Sequence, residues 1–338
     1  MKNRKIKNML RSSMLLLVCL GLTGCAAGTA SKQEKAGDAE EAAVNFLTDM
    51  QSGSYEAAMA YMEEGNELLH VLPAAAGESV PEMDEVYRRF CEQMKEMTFS
   101  ISDEKVELPD TVNVTIRNRD YGGAIRTAMA EALQLQSEQG GDSFADFTSW
   151  MGQAVENAPV GEEDTQHITM TKRKDGYYIQ HSGYPDQTFL NLLTGGFYEY
   201  MDLTMTTCTM EEDGVKYTYY IAAAGDEVIS YLVETAEPFD TASLTDEDIA
   251  EMKAYYEETA AAQEGVYMGC QIGDGEIVTA TGIDFYEASQ TAMINAGIVS
   301  GKYSGNTTSS YLSLNATIQG FESDGMTCET VPQYDTEE

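Results

Sequence analysis

From Asp38 onward the apolar positions of the chain change period more than once. Ala42, Ala43, Phe46, Leu47 and Met50 recur at three- and four-residue spacing and predict a helix that Gly53-Ser54 stops. Ser54 can cap a second helix with Ala57, Ala58, Tyr61 and Met62 on one face. Residues 68–80 have no period, and 82–97 return to helix through Val86, Phe90, Met94 and Met97. Alternation then takes over. Phe99 and Ile101, Val106 and Leu108, then Val112, Val114 and Ile116 mark three strands, the later two joined at Pro109-Asp110. Residues 121–135 and 144–155 read as helices, and 168–179 as a hairpin pivoting on Asp175-Gly176. A further helix over 186–201 puts Phe189, Leu190, Leu193 and Phe197 on its apolar side, with Gly195-Gly196 as a weak point.

Beyond residue 203 strands dominate. Residues 205–210, 215–223 and 227–236 form a predicted meander, with tight turns at Asp213-Gly214 and Gly225-Asp226. Thr245-Asp246-Glu247-Asp248 matches a capping box opening a helix through Ile249, Met252, Tyr256 and Ala260. A hairpin over 266–285 turns at Gly273-Asp274-Gly275. A last helix over 311–321, a strand over 326–331 and an acidic tail follow.

Helices followed by antiparallel strands predict an α+β chain with two sheet-bearing domains. The expected units are residues 39–185 and 203–332, joined by a connecting helix over 186–202, with a tail over 333–338. The opening Ala43-Val44-Asn45-Phe46-Leu47, with Gly53-Ser54-Tyr55-Glu56-Ala57-Ala58, resembles the start of NTF2-like (cystatin-like) lipoprotein domains. That resemblance implies a pocket cupped between helix and sheet; it transfers no catalytic residue, and the helical material over 122–158 departs from it. Thr218-Tyr219-Tyr220, Gly225-Asp226-Glu227-Val228, Leu244-Thr245, Gly265-Val266 and Ile283-Asp284 resemble the YehR-like lipoprotein family. That family implies an antiparallel sheet with helices and no established activity.

The first 25 residues place the chain. Lys2, Arg4, Lys5, Lys7 and Arg11 precede a short apolar run over 14–22, well under the roughly 20 residues that span a bilayer, so residues 1–24 read as a signal peptide. Leu22-Thr23-Gly24-Cys25 resembles the lipobox of bacterial lipoproteins, which implies a diacylglyceryl group on Cys25 as the mature N-terminus. Residues 25–38 are then a flexible linker, and the protein is expected on the outer face of the membrane of a Gram-positive-type cell. Net charge is −37, and it becomes −42 once the signal removes five of the 20 basic residues and no acidic one. A field of that sign repels nucleic acid and anionic lipid headgroups, leaving the lipid as the membrane attachment.

Four cysteines remain beyond the signal and the lipobox Cys25: Cys91, Cys208, Cys270 and Cys328. An extracytoplasmic site permits disulfides. The strand-like settings of Cys208 and Cys328 favour that pair, although spacing alone leaves the pairing open and free buried thiols are the alternative.

Chemistry-bearing patterns are sparse. His70, His167 and His181 have no metal-ligand spacing, and there is no nucleophile elbow or phosphate-binding glycine loop, so no metal or cofactor is expected. The runs Glu162-Glu163-Asp164, Glu211-Glu212-Asp213, Asp246-Glu247-Asp248 and Glu257-Glu258 lack the alternating calcium-loop pattern and read as solvated turns or helix ends. Among the tyrosines, strand alternation requires at least one of Tyr219 and Tyr220 to face outward. The expected role is a non-catalytic module binding an envelope protein, peptide or glycan. The alternative is a small-molecule enzyme or carrier using an NTF2-like pocket, with a buried carboxyl beside a tyrosine.

Overall fold

A computed structural model describes residues 38–62, 81–102, 111–180, 187–240, 244–273, 275–289, 291–292 and 312–332. The lipobox residues Leu22, Thr23, Gly24 and Cys25, the Val106–Leu108 alternation with its Pro109-Asp110 turn, His70, His181 and the acidic tail lie outside these.

Helix α1 (Ala39–Ser52) starts where the Asp38 carboxylate accepts from the Glu41 N–H at 2.8 Å, and ends at Gly53 in the left-handed region. It buries Ala42, Ala43, Phe46, Leu47 and Met50, the stripe its spacing predicts. After the short α2 (Tyr55–Met59), a 3-10 turn at Pro81–Met83 enters α3 (Asp84–Gln93), which buries Val86, Tyr87 and Phe90. Strands β1 (Thr98–Ile101), β2 (Thr111–Arg119), β3 (Val160–Arg173) and β4 (Gly176–Ile179) form an antiparallel sheet in sequence order. Two helices, α4 (Tyr121–Gln139) and α5 (Phe147–Asn157), leave this sheet between β2 and β3.

The helix predicted over 186–201 is interrupted. α6 (Gln187–Thr194) stops at Gly195-Gly196, and a 3-10 turn at Phe197–Tyr200 follows. The break has a packing cause: Gly195 has φ 59°, and a Cβ there would fall 1.9 Å from the Arg119 carbonyl oxygen. The Gly195 carbonyl also accepts from the Gly122 N–H at 3.0 Å, docking the first turn of α4.

The second sheet is built from β5 (Leu203–Glu212), β6 (Val215–Ala224), β7 (Glu227–Pro238), β8 (Val266–Gly273), β9 (Glu276–Asp284) and β10 (Thr327–Val331). Its order is β10-β5-β6-β7-β9-β8, antiparallel throughout. Helix α7 (Asp246–Ala261) opens on the capping box, with Thr245 and Asp248 exchanging backbone and side-chain bonds. Its Ile249, Met252, Tyr256 and Ala260 are half-buried, since α7 lies only against the sheet margin at β8. Helix α8 (Leu314–Ser323) is capped by Ser313, and it is held from another element as well: the Asp226 carboxylate accepts from Ser313 Oγ at 2.8 Å and the Asn315 N–H at 2.9 Å. The Asn315 bond holds the Asp226 carboxyl below its ordinary range.

Both faces of this sheet are covered, which corrects the expectation that Tyr219 or Tyr220 faces solvent. Tyr219 points to the α8 side, 4.6 Å from the Phe321 ring and 5.8 Å from that of Tyr231. Tyr220 points the other way, towards α4, and both are half-buried. Alternation still holds; each side of the sheet carries a helix.

A single apolar cluster runs from Ala42 through Phe90, Leu133, Phe197 and Leu203 to Ala280, so residues from both sheets share it. The segment expected as a connector contributes Leu190, Leu193, Phe197 and Tyr200 to this cluster, all fully buried. At its centre Phe90 stacks on Phe197 at 4.2 Å and meets Tyr121 edge-on at 5.1 Å, while the Tyr87 hydroxyl donates to the Met201 carbonyl at 2.6 Å. Such aromatic pairs contribute about 0.5–1.5 kcal/mol each beyond burial. They tie α3, α4 and the 3-10 turn after α6 together. α4 then continues across the second sheet, with Leu133 against Gly282.

Candidate functional site

Helices α4 and α5 pack against each other, and a groove lies along the pair. The groove encloses about 930 Å³. Small residues of α4 make its near wall: Gly123, Ala124, Thr127, Ala128 and Ala132. Trp150, Gln153 and Asn157 of α5 make the far wall. The Trp150 indole N–H is spent on the Phe144 carbonyl at 3.1 Å, so the ring offers the groove apolar surface alone. Leu135, 42% exposed, adds an apolar rim.

Charge in the groove has one sign. Asp120, Glu131, Asp142 and Asp146 line it with no lysine, arginine or histidine beside them. Asp120 and Asp146 are there because helices start there; their carboxylates accept from the Gly123 and Ser149 N–H groups. Glu131 and Asp142 are exposed. Ion pairs join Arg88, Arg89 and Arg119 to Glu85, Glu92, Glu96 and Glu156, and none of these engages a groove carboxylate. A concave surface with uncompensated charge of one sign concentrates counter-ions of the other.

Beneath one end of the groove, fully buried Gln136 connects it to the second sheet. Its Oε1 accepts from the Phe144 and Ala145 N–H groups at 2.8 and 3.2 Å, which fixes the loop carrying Asp142 and Asp146. Its Nε2 donates to Glu234 Oε1 at 3.0 Å, and the Tyr220 hydroxyl reaches Glu234 Oε2 at 3.4 Å. Burial pushes the Glu234 carboxyl up, against the pull of Gln136 and Tyr220; Asp142 pushes it further and Lys216 opposes. Burial likewise pushes the Tyr220 phenol up. Here a carboxyl and a tyrosine do converge, but neither lines the groove, and both Glu234 oxygens face protein donors.

A carboxyl whose folded pKa is raised favours its neutral form in the fold, so its contribution is full below the unfolded value of about 4.5 and is lost as pH rises through the folded pKa. Glu234→Gln should therefore be more stable than the parent at pH 7, by no more than about 1 kcal/mol, and equal to it near pH 4. Urea midpoints at both pH values check this; a deficit at pH 7 would show that the charged form is what the site holds.

The other expected positions are structural. His167 pairs with Asn113 across β3 and β2. Asp284, fully enclosed at the end of β9, accepts from the Tyr286 N–H at 2.9 Å and so shapes the turn that follows; burial pushes its carboxyl up. Glu162-Glu163-Asp164 lies exposed on β3, and Glu211-Glu212-Asp213 lies exposed at the β5–β6 turn. Among the described residues no group of three histidine, cysteine, aspartate or glutamate side chains is placed to hold a metal ion. Cys208 and Cys328 are joined in a disulfide linking β5 to β10. Sequence reasoning missed the groove, although Ala124, Ala128 and Ala132 at four-residue spacing on α4 carried a signal for a close-packing flank.

No protein-family profile matches the sequence, and no curated protein does. Solved structures with partial likeness include a protein from Streptococcus pneumoniae TIGR4, 15% identical over 37% of this chain and 84% of that one, with a TM-score of 0.28. Another is the Escherichia coli YehR protein, 14% identical over 40% of this chain and 96% of that one, with a TM-score of 0.30.

Proposed function

We propose that this protein is a non-catalytic binding module of the cell envelope, held on the outer membrane face by a diacylglyceryl group on Cys25, and that the α4–α5 groove receives its ligand. The groove itself carries this reading: about 930 Å³ at the upper end of ordinary ligand sites, apolar at Trp150 and Leu135 and polar at its ends. On this reading residues 39–185 form an NTF2-like unit whose inserted helices supply the site, and 203–332 form a YehR-like unit that buttresses it. The ligand is a peptide, a glycan or a segment of an envelope protein. No helix among the described residues is long and apolar enough to cross a membrane; the lipobox pattern at Leu22-Thr23-Gly24-Cys25 is what supports the lipid anchor.

Trp150 is the only tryptophan in the chain, so its emission reports on the groove directly. Titrating the full mature chain with peptides and glycans should give a saturable Trp150 shift, with the ligand recovered intact by mass spectrometry. Consumption of the ligand would favour the enzyme alternative. A Trp150 emission that no peptide or glycan moves would remove the groove from consideration. Separately, Cys25→Ala should release the protein from membranes into the medium; retention on the membrane would refute the lipid anchor.

A further inference from the structure

Resting on the reading of the groove as a ligand site, the geometry points to its occupant: an extended cationic segment of a partner protein, with lysine or arginine alternating with apolar residues. Three features select that chemistry. The carboxylates Asp120, Glu131 and Asp142 are distributed along the groove rather than gathered at one point, so they suit several separated cations better than one ion. From Asp120 to Leu135 the α4 wall runs about 22 Å at 1.5 Å per residue. That is the length of about seven residues of extended chain at roughly 3.3 Å each. Between the carboxylates the walls are apolar or small, at Ala124, Ala128, Ala132 and the Trp150 ring, so every second side chain of such a segment finds a hydrocarbon surface. None of the described ion pairs supplies a cation to these carboxylates from within the chain. A second copy of the chain, with net charge −37 before processing, brings like charge and is a poor occupant.

The test titrates the full mature chain with an end-capped Lys-Leu-Lys-Ala-Lys-Leu-Lys peptide, following Trp150 emission at an excitation where tyrosine is silent. A glutamate-for-lysine peptide serves as the control. The cationic peptide should shift the emission saturably and the acidic one should not. Glu131→Gln with Asp142→Asn, both at exposed positions, should weaken binding about tenfold. Glu211→Gln with Glu212→Gln removes the same charge from the β5–β6 turn, outside the groove lining, and should leave affinity within twofold. Equal weakening by the two double variants would overturn the proposal in favour of diffuse attraction to an acidic surface. A Trp150 response to a neutral glycan but not to the cationic peptide would overturn the ligand class and leave the groove standing. No Trp150 response to any of them would overturn both.

Discussion

Alanine at Gly269 should cost about 2–3 kcal/mol, the upper part of the roughly 1–3 kcal/mol range of overpacking in a close-packed interior. Gly269 lies on β8 where the last turns of α4 cross the second sheet, and a Cβ there would sit 1.8 Å from the Ser137 carbonyl oxygen and 2.5 Å from its carbon. Those are backbone atoms of a helix pinned at its other end by the Gly122–Gly195 bond, so no rotamer change relieves the clash. Helix α4 must lift or β8 must bend. Either response also loosens Leu133 from Gly282 and the Gln136 bond to Glu234. The measurement is urea denaturation followed by circular dichroism and Trp150 emission. The parent should unfold in one transition by both probes, because the sheets share a core, while Gly269→Ala should unfold at lower urea with the probes separating. Gly273→Ala on the same strand is the control: its Cβ would meet nothing nearer than Glu276 Cγ at 3.8 Å, so it should stay within about 0.5 kcal/mol. A Gly269→Ala midpoint matching the parent would mean that α4 does not seat on β8.

Loss of the Cys208–Cys328 bridge should have the other large effect. The two residues are direct partners in the β5–β10 register, and the bridge closes 120 residues of chain. Loop-closure reasoning assigns a cross-link of that span about 3–5 kcal/mol, mainly through the unfolded ensemble. β10 is an edge strand of five residues, held also by the Thr206–Thr330 hydroxyl bond, the β5 ladder and contacts with α8. Without the bridge β10 should detach first and expose the edge of β5, a surface prone to intermolecular pairing. Cys208→Ala with Cys328→Ala should thus melt earlier than the oxidised parent and aggregate on heating. Identical urea midpoints for oxidised and reduced parent would refute this.

Much of the local structure is legible in the sequence because its causes are local. The stripe in α1, the Asp213-Gly214 and Gly225-Asp226 turns and the Thr245–Asp248 capping box each depend on residues within one or two turns of each other. The candidate site is legible only in pieces. Asp120 stands just before a predicted helix, whereas Asp146 falls inside the helix predicted over 144–155 and caps the shorter one that forms, and the groove between the two helices depends on what each packs against elsewhere. α5 leans on α3 through Arg89, which bonds the Gly152 carbonyl and Glu156, while α4 is committed to the second sheet. The outward tyrosine failed for a related reason: alternation says that Tyr219 and Tyr220 point to opposite faces and says nothing about whether a face is covered.

The sequence by itself determined the α+β order, most strand and helix positions and the sign of the charge. It also carries the lipobox pattern at Leu22-Thr23-Gly24-Cys25. Tertiary structure alone decided that α4 bridges two sheets, that Leu190, Leu193, Phe197 and Tyr200 join the core, that Cys328 lies opposite Cys208, and that a groove opens beside Trp150. The division follows from range. Periodicity, caps and turns are set by neighbours a few residues apart, whereas the partner that buries an apolar face is chosen by close packing among segments a hundred residues apart, which single-chain patterns do not encode.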